Sequence, residues 1–125
     1  MQEKKRLLGN KGEQIAAAYL EKLGHKIVFQ NYRSGKYEID IISITDKILV
    51  FSEVKSNYKK PLGESGFKIN KAKRNSIING AYRFIEANPQ YSNMDVRFDV
   101  LIVNFSVYPA EIDYYKAAFW QERFW

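Results

Sequence analysis

The sequence predicts an α/β protein in which helices flank a mixed central β-sheet. The chain gives a helix, three strands, a second helix and a further strand in order, which is the pattern of a layered α/β domain. The two central strands are apolar on both faces, as in a covered sheet. A chain of 125 residues with 46% hydrophobic residues is long enough for one core. We therefore expect a single domain spanning residues 1–125.

The first helix is predicted from its start and stop signals. Asn10 is the expected N-cap, and Glu13 three residues later resembles a capping box. Ala16 and Leu20 follow at helical spacing, and Gly24 is the expected C-terminal stop. As an N3 residue, Glu13 is expected at least to complete the cap. Because it also shares the helix face that must dock on the sheet, a contribution to an active site is the open alternative.

Three strands should follow this helix. The first runs from residue 27 to about 33, and Ser34-Gly35 turn it into a second strand at 37–42. The third strand, at 49–55, follows a turn at 45–47. His25, which lies between the helix and the first strand, is expected at the surface.

The second half of the chain supplies the remaining elements. A helix is predicted from about residue 69 to 88, because Pro89 ends its apolar stripe. Residues 95–105 predict a fourth strand, and residues 110–115 a last short element. The aromatic tail at 117–125 is expected to close the core or to meet a partner, and a homodimer is our expectation for it.

The register of the two central strands brings acidic residues together. If Asp46-Lys47 form a two-residue turn, Thr45 pairs with Ile48 and Asp40 lies directly opposite Glu53. The same register puts Glu38 opposite Lys55. A three-residue turn would make Asp40 and Glu53 diagonal neighbours instead. Like charges directly opposed on a sheet are destabilising, so a bound divalent cation is the expected reason for the pair.

A solvated strand face is the alternative explanation of these charges. Against it, apolar residues accompany the charges on both faces. We expect Ile42, Ile44, Leu49 and Phe51 on the face of the acidic pair, and Ile39, Ile41, Ile48, Val50 and Val54 on the other. A charge on a covered strand must be paired, ligated or shifted in pKa. The pattern favours a functional site, with Asp40 and Glu53 as metal ligands and Lys55 as a catalytic cation.

The composition restricts which metal such a site would hold. The chain has no cysteine and one histidine, which excludes cysteine-ligated zinc and histidine-rich transition-metal sites. Carboxylate and carbonyl oxygens are the ligands that remain, and they favour Mg²⁺ or Mn²⁺.

The net charge of +6 is concentrated in one segment. Residues 54–74 hold seven cations and only one carboxylate, Glu64, so the rest of the chain is neutral overall. The cations expected to contact a nucleic-acid backbone are Lys59, Lys60, Lys71, Lys73 and Arg74. A solubilising lysine-rich loop would have the same composition, and the adjacent carboxylates favour nucleic acid.

The compartment is predicted from what the chain lacks. No apolar run approaches the length of a membrane span, and no apolar signal core follows the charged residues 1–8. We expect a cytoplasmic protein without a membrane partner.

The residues that carry these expectations resemble the YraN-like bacterial family, which is related to Holliday-junction resolvases. The resemblance covers nearly the whole chain and rests on the order and spacing of several short motifs. These are Gly9-Asn10-Lys11-Gly12-Glu13, Asn31-Tyr32-Arg33, Glu38-Ile39-Asp40-Ile41-Ile42, Val50-Phe51-Ser52-Glu53-Val54-Lys55, Lys73 with Ala81, Arg97-Phe98-Asp99-Val100, and Ala117 with Phe119. The resemblance implies a restriction-endonuclease-like three-layer fold, α/β with a mixed sheet between helices.

The same resemblance implies roles for individual residues. Asp40, Glu53 and Lys55 would be the Asp and the Glu-x-Lys of this nuclease superfamily, and Glu13 its carboxylate on the first helix. Two positions depart from the family pattern: Tyr37 stands where glycine is usual, and Ser56-Asn57 replaces a small residue and an arginine. The expected function is a Mg²⁺- or Mn²⁺-dependent nuclease, or a nuclease-derived protein, acting on structured or branched DNA. The alternative is a non-catalytic nucleic-acid-binding or adaptor module with the same fold.

Overall fold

The structure is a computed structural model that describes residues 2–58 and 69–120, with side chains from residue 10 onward. Its elements, in chain order, are α1 (Gln2–Lys22), β1 (Lys26–Ser34), β2 (Tyr37–Thr45), β3 (Ile48–Asn57), α2 (Lys71–Ala87), a 3₁₀ turn (Pro89–Tyr91), β4 (Asp95–Asn104) and β5 (Glu111–Phe119). Within the described ranges, no helix is long and apolar enough to cross a membrane.

The five strands form one mixed sheet in the order β1-β2-β3-β4-β5. Strands β3 and β4 are parallel, and every other neighbouring pair is antiparallel. The chain passes from β3 to β4 through α2, as a parallel connection requires. The α/β class and the mixed sheet are therefore confirmed. The short element expected at 110–115 is a nine-residue edge strand.

Each face of the sheet carries one helix, which makes three layers. Residues Ala16 and Leu20 of α1 pack with Ile41, Leu101 and Val103 of the sheet. On the opposite face, α2 packs through Ile77, Ile78, Ala81 and Phe84 against Leu49, Phe51, Phe98 and Ile102. Each large side chain buried in this way contributes about 1.5–3 kcal/mol. Two cores thus hold the sheet in place from both sides.

The start of α1 differs from the sequence prediction. The helix begins at Gln2, so Asn10 and Glu13 lie in its interior, and the expected cap at Asn10 with its capping box is wrong. Residues 2–8 are Gln, Glu, Lys, Lys, Arg, Leu and Leu, which all favour helix and extend it past the expected boundary. The end is as predicted, because Gly24 adopts a left-handed φ of 99°.

The turn between β2 and β3 confirms the predicted register. Asp46 and Lys47 have φ values of 47° and 66°, as a two-residue primed turn requires, and Thr45 pairs with Ile48. The recorded pairing of the two strands ends at Ile41 with Ser52. Asp40 and Glu53 are the next residues outward, at the point where this ladder stops.

A buried carboxylate at Asp99 joins β4 to the edge strand β5. Arg97 donates two hydrogen bonds of 2.8 Å to the fully buried Asp99, and the Tyr114 hydroxyl donates another. The Ala117 amide donates a fourth, of 2.9 Å, from a residue with a φ of 50°. The register of β4 with β5 shifts between Phe98 and Val100 at this bulge. Burial, followed by the bond to Asp99, raises the pKa of Tyr114.

His25 is buried rather than at the surface, so this expectation was wrong. Its backbone N–H bonds the Leu20 carbonyl at 3.0 Å, which turns the residue back under α1. Its Nδ1 lies 2.9 Å from the Ser43 hydroxyl, and its ring meets the edge of Tyr114. Burial, followed by the charge of Arg97, lowers the pKa of the imidazole. The neutral ring links Ser43 of β2 to Tyr114, which packs against the α1 core.

Candidate active site

A change in strand alternation places Asp40 at the seam between β2 and β3. Ile39 and Ile42 both pack in the α2 core, whereas Ile41 packs in the α1 core. The expected faces were therefore wrong for Ile39, which lies with Ile42 and not with Ile41. Strict alternation would put Ile39 and Ile42 on opposite faces, so β2 rotates within this stretch. The rotation directs Asp40 between the strands and away from either core.

Asp40 closes the gap that the end of the ladder leaves. Its Oδ2 accepts a 2.8 Å hydrogen bond from the Val54 amide, which has no β2 carbonyl opposite it in the recorded pairing. The side chain also interacts with carboxyl groups on both sides, Glu13 from α1 and Glu53 from β3. Asp40 is thus the central member of a carboxylate row, formed by Glu13, Asp40 and Glu53, that joins α1 to the sheet.

Glu13 reaches Asp40 because α1 approaches the end of β3 closely. A side-chain carbon at the preceding residue, Gly12, would meet the Ser56 hydroxyl, so the two segments are in close contact here. Burial, followed by the charge of Asp40, raises the pKa of Glu13 to about 7. The predicted contribution of Glu13 to the site therefore has its geometric basis, although the residue does not cap the helix.

Asn31 is a member of this site that the sequence reasoning did not identify. It follows Gln30 and precedes Tyr32, whose partners on β2 are Ile41 and Ile39, so it lies beside Asp40. Its φ of 55° is left-handed, a conformation that asparagine tolerates better than most residues. Its side chain hydrogen-bonds Glu13 and lowers the pKa of that carboxyl. The signal was an asparagine inside an otherwise strand-forming run.

Glu53 is a largely buried carboxylate of the row. Its side chain is 11% exposed, and its Oε2 lies 3.3 Å from Lys73 Nζ. Burial, followed by the charge of Asp40, raises the pKa of Glu53 to about 8, while Lys73 acts in the opposite direction. Asn70 caps α2 by accepting a 2.8 Å bond from the Lys73 amide, which fixes the lysine at the start of the helix. Lys73 was expected on a phosphate and instead contacts the carboxylate row.

Lys55 lies two residues beyond Glu53 and, by strand alternation, on the same face. Its side chain is exposed. Glu38, which was expected opposite Lys55, pairs with Arg33 of β1 and forms an exposed 3.3 Å ion pair with it. Such an exposed pair contributes about 0–1 kcal/mol.

Besides Lys73, two of the cations predicted to contact nucleic acid lie in the described part of the chain and two do not. Lys71 is exposed and Arg74 partly exposed in the first turn of α2, at the same end of the sheet as the carboxylate row. Lys59 and Lys60 lie outside the described residues.

The carboxylate row can offer a cation two neighbouring side chains, those of Asp40 and Glu53. Among residues 10–58 and 69–120, no three acidic or histidine side chains already converge as a metal cage. Mg²⁺ commonly takes one or two carboxylates and keeps several water molecules, so Asp40 and Glu53 suit it chemically. The raised pKa of Glu53 has the like charge of Asp40 among its causes, and a cation between the two would offset that repulsion.

The raised pKa of Glu53 predicts how stability depends on pH without divalent cations. Between about pH 4.5 and 8 the folded protein retains a proton that the unfolded chain releases, so the free energy of unfolding should fall as pH rises. Glu53→Gln should remove on the order of 2 kcal/mol of this fall. Denaturant unfolding in EDTA at pH 5, 6.5 and 8 measures it. Glu21→Gln, at an exposed α1 position, is the control for the lost charge. Parallel pH profiles for parent and Glu53→Gln would contradict this origin.

Comparison with known proteins identifies the family of this chain. The model of the uncharacterised protein family UPF0102 matches residues 12–103, which include Glu13, Asp40, Glu53 and Lys55. The chain belongs to the UPF0102 family. A UPF0102 protein of Chloroherpeton thalassium is 40% identical over 76% of this chain and 73% of its own length. UPF0102 proteins of Clostridium perfringens and Treponema denticola are 35% and 39% identical, over 95% and 90% of this chain and 98% and 94% of their own lengths. The family part of the resemblance is thereby confirmed.

Proposed function

We propose that this UPF0102 protein is a metal-dependent nuclease with a restriction-endonuclease-like fold, acting on structured or branched DNA. The observation that carries the proposal is the position of Asp40, between the carboxyl groups of Glu13 and Glu53 and on the Val54 amide. A purely structural role for Asp40 would need only a hydrogen-bond donor such as the Val54 amide. It would not need two further carboxyl groups, whose charges repel that of Asp40. The relation to Holliday-junction resolvases that the resemblance implies belongs to the same proposal, and it is the reason for naming branched DNA as the substrate.

Asp40 and Glu53 would hold Mg²⁺ or Mn²⁺, which when bound supplies a Lewis acid for the scissile phosphate and a more acidic water. The chain's own residues would do the remaining work. Lys55 would orient the attacking water and neutralise charge that develops on the phosphoryl oxygens. Glu13, positioned by Gly12 and Asn31, would accept a proton from a water beside Asp40. Its pKa of about 7 is suited to this role near neutral pH.

Positive charge near the row supports nucleic acid as the substrate. Lys71 and Arg74 begin α2 beside the Lys73 contact to Glu53, and the segment at 54–74 holds the whole net charge of the chain. Cations at this position would contact phosphates without selecting bases, so they position a strand and do not specify its sequence.

A second candidate function is a non-catalytic nucleic-acid-binding or adaptor module. The 3.3 Å contact of Lys73 with Glu53 favours it, because a lysine ammonium already occupies one side of a proposed metal ligand. In a nuclease, Lys73 would have to move from Glu53 to the substrate when the cation binds. The two candidates therefore differ in whether a divalent cation displaces this lysine.

Calorimetric titration with Mn²⁺ tests the site without requiring the right substrate. The parent protein should bind Mn²⁺ and should cut branched DNA with Mg²⁺ or Mn²⁺ but not in EDTA. Lys55→Ala should bind Mn²⁺ within about threefold of the parent, because an ammonium group is not a metal ligand. It should lose cleavage by about 10² or more, as expected for removing a group that stabilises transition-state charge. DNA binding by the parent without any Mn²⁺ binding would favour the adaptor and reject the nuclease.

The proposal also includes a homodimer in the cytoplasm. Two active sites in one particle would cut two strands of a branched substrate. Sedimentation of the full chain at micromolar concentration measures the oligomeric state directly.

A further inference from the structure

A second cluster of charge lies at the end of the β1–β2 hairpin. The Arg83 guanidinium of α2 lies 5.2 Å from the centre of the Tyr37 ring, and Lys36 Nζ lies 5.6 Å from the same centre. We propose that Lys36, Tyr37 and Arg83 form a subsite for a backbone phosphate of the nucleic-acid strand, beside the carboxylate row. This inference rests on the proposed function, whose substrate it extends.

The two cations of this subsite are available to an anion. In the part of the chain that the structure describes, neither Lys36 nor Arg83 is within ion-pair distance of a carboxylate. Glu38, next in sequence to Tyr37, contacts Arg33 instead. A cation–π contact engages the face of a guanidinium and leaves the N–H groups at its edge free to donate. Both side chains are exposed, so a ligand can reach them from solvent.

The packing of α2 fixes the distance of this cluster from the carboxylates. A side-chain carbon on Gly80 would lie 3.2–3.3 Å from Ile39 and 3.3 Å from Tyr37 Cβ, so the helix lies directly on β2 there. Ile39 is next to Asp40 in the chain. Tyr37 precedes Asp40 by three residues, which is about 10 Å along a strand. One nucleic-acid strand can therefore span the subsite and the carboxylate row.

The same helix connects the two positively charged positions. Lys73 and Gly80 are seven residues apart and share a face of α2. Lys73 contacts Glu53, and Gly80 packs against Tyr37. Arg83 follows Gly80 by three residues and continues that face toward the hairpin. One strand following this side of α2 would pass Lys73 near the carboxylate row and then reach Arg83 and Lys36. Tyr37 holds the two cations around its ring.

A charge-matched pair of double variants tests the subsite. Lys36→Ala/Arg83→Ala should bind a fluorescein-labelled branched DNA roughly tenfold more weakly in EDTA at 100 mM salt. The slope of log K against log salt should decrease by about 0.9 for each lost duplex phosphate contact. Lys22→Ala/Lys26→Ala removes the same charge from exposed positions at the end of α1 and the start of β1, and should change binding by less than threefold. Equal losses in the two double variants would overturn the subsite, as would unchanged binding by the first.

Two further measurements separate this inference from the proposed function. Tyr37→Leu keeps both cations but removes the ring, and it should weaken DNA binding about threefold or more; parent-like binding would contradict the role of the ring. Mn²⁺ affinity should be unchanged in Lys36→Ala/Arg83→Ala. If the parent bound no Mn²⁺ but this double variant still lost DNA affinity selectively, the nuclease would be rejected and the subsite retained. If the parent bound no DNA of any form, the subsite would be rejected.

Discussion

Asp40→Asn should abolish Mn²⁺ binding and DNA cleavage while the protein remains folded. The carboxylate is the only group in the row that meets both Glu13 and Glu53, so its loss removes the charge that a divalent cation needs. The asparagine oxygen can still accept the Val54 amide bond, which preserves the seam between β2 and β3. Without divalent cations, stability should be unchanged or higher, because a source of like-charge repulsion is gone. Calorimetry with Mn²⁺ and chemical denaturation in EDTA measure the two effects.

Glu38→Gln is the matched control for this variant. Glu38 is an exposed acidic residue two positions before Asp40 that forms an ion pair with Arg33, and its charge is the smallest of the causes that act on the pKa of Glu13. Its substitution removes the same formal charge and should leave Mn²⁺ affinity within about threefold of the parent. Asp40→Asn that still bound Mn²⁺ with parent affinity would remove Asp40 from the metal site. Asp40→Asn that failed to fold would show that the charge itself, and not only the hydrogen bond, holds the seam.

Asp99→Ala should cause the largest loss of stability of any single change considered. Asp99 is fully buried and accepts hydrogen bonds from Arg97, Tyr114 and the Ala117 amide. Removing one partner of a buried ion pair typically costs 3–5 kcal/mol, because the remaining charge and donors lose their acceptor. The melting temperature should fall by on the order of 10–20 °C. Calorimetric or circular-dichroism melting of the full chain measures this change.

Arg33→Ala is a suitable comparison for Asp99→Ala. It also breaks an arginine–carboxylate pair, but one whose side chains are 73% and 52% exposed. We expect it to cost less than about 1 kcal/mol. A cost for Asp99→Ala as small as that of Arg33→Ala would mean that the buried network is neutral in its net effect on stability.

The α/β class and the register of the central hairpin could be predicted because local signals determine them. Two left-handed residues, Asp46 and Lys47, fix the turn, and the apolar runs on either side of it fix the pairing of β2 with β3. The carboxylates could be found for the same reason, since they lie in neighbouring, paired strands. A covered sheet leaves few explanations for charges at such positions.

The features that could not be predicted depend on contacts between distant parts of the chain. The position of Asp40 depends on a rotation of β2 that places Ile39 in the α2 core, and strand alternation alone gives the opposite face. The contact of Lys73 with Glu53 depends on where α2 crosses the sheet. His25 is buried because the end of α1 turns it under the helix, which residue type does not reveal. The predicted start of α1 was wrong because the helix-forming residues 2–8 carry the helix past the capping signal at Asn10.

The bulge at Ala117 has a consequence for how this protein meets other chains. β5 is an edge strand, and an unbroken edge offers a row of free backbone groups on which another strand can assemble into aggregates. Here Asp99 takes up the Ala117 amide from within the sheet, and the left-handed residue interrupts the edge where the register shifts. A neighbouring chain cannot continue the ladder past this point. The carboxylate that stabilises the interior thus also interrupts this edge of the sheet, and strand addition along β5 would be confined to the residues before Ala117.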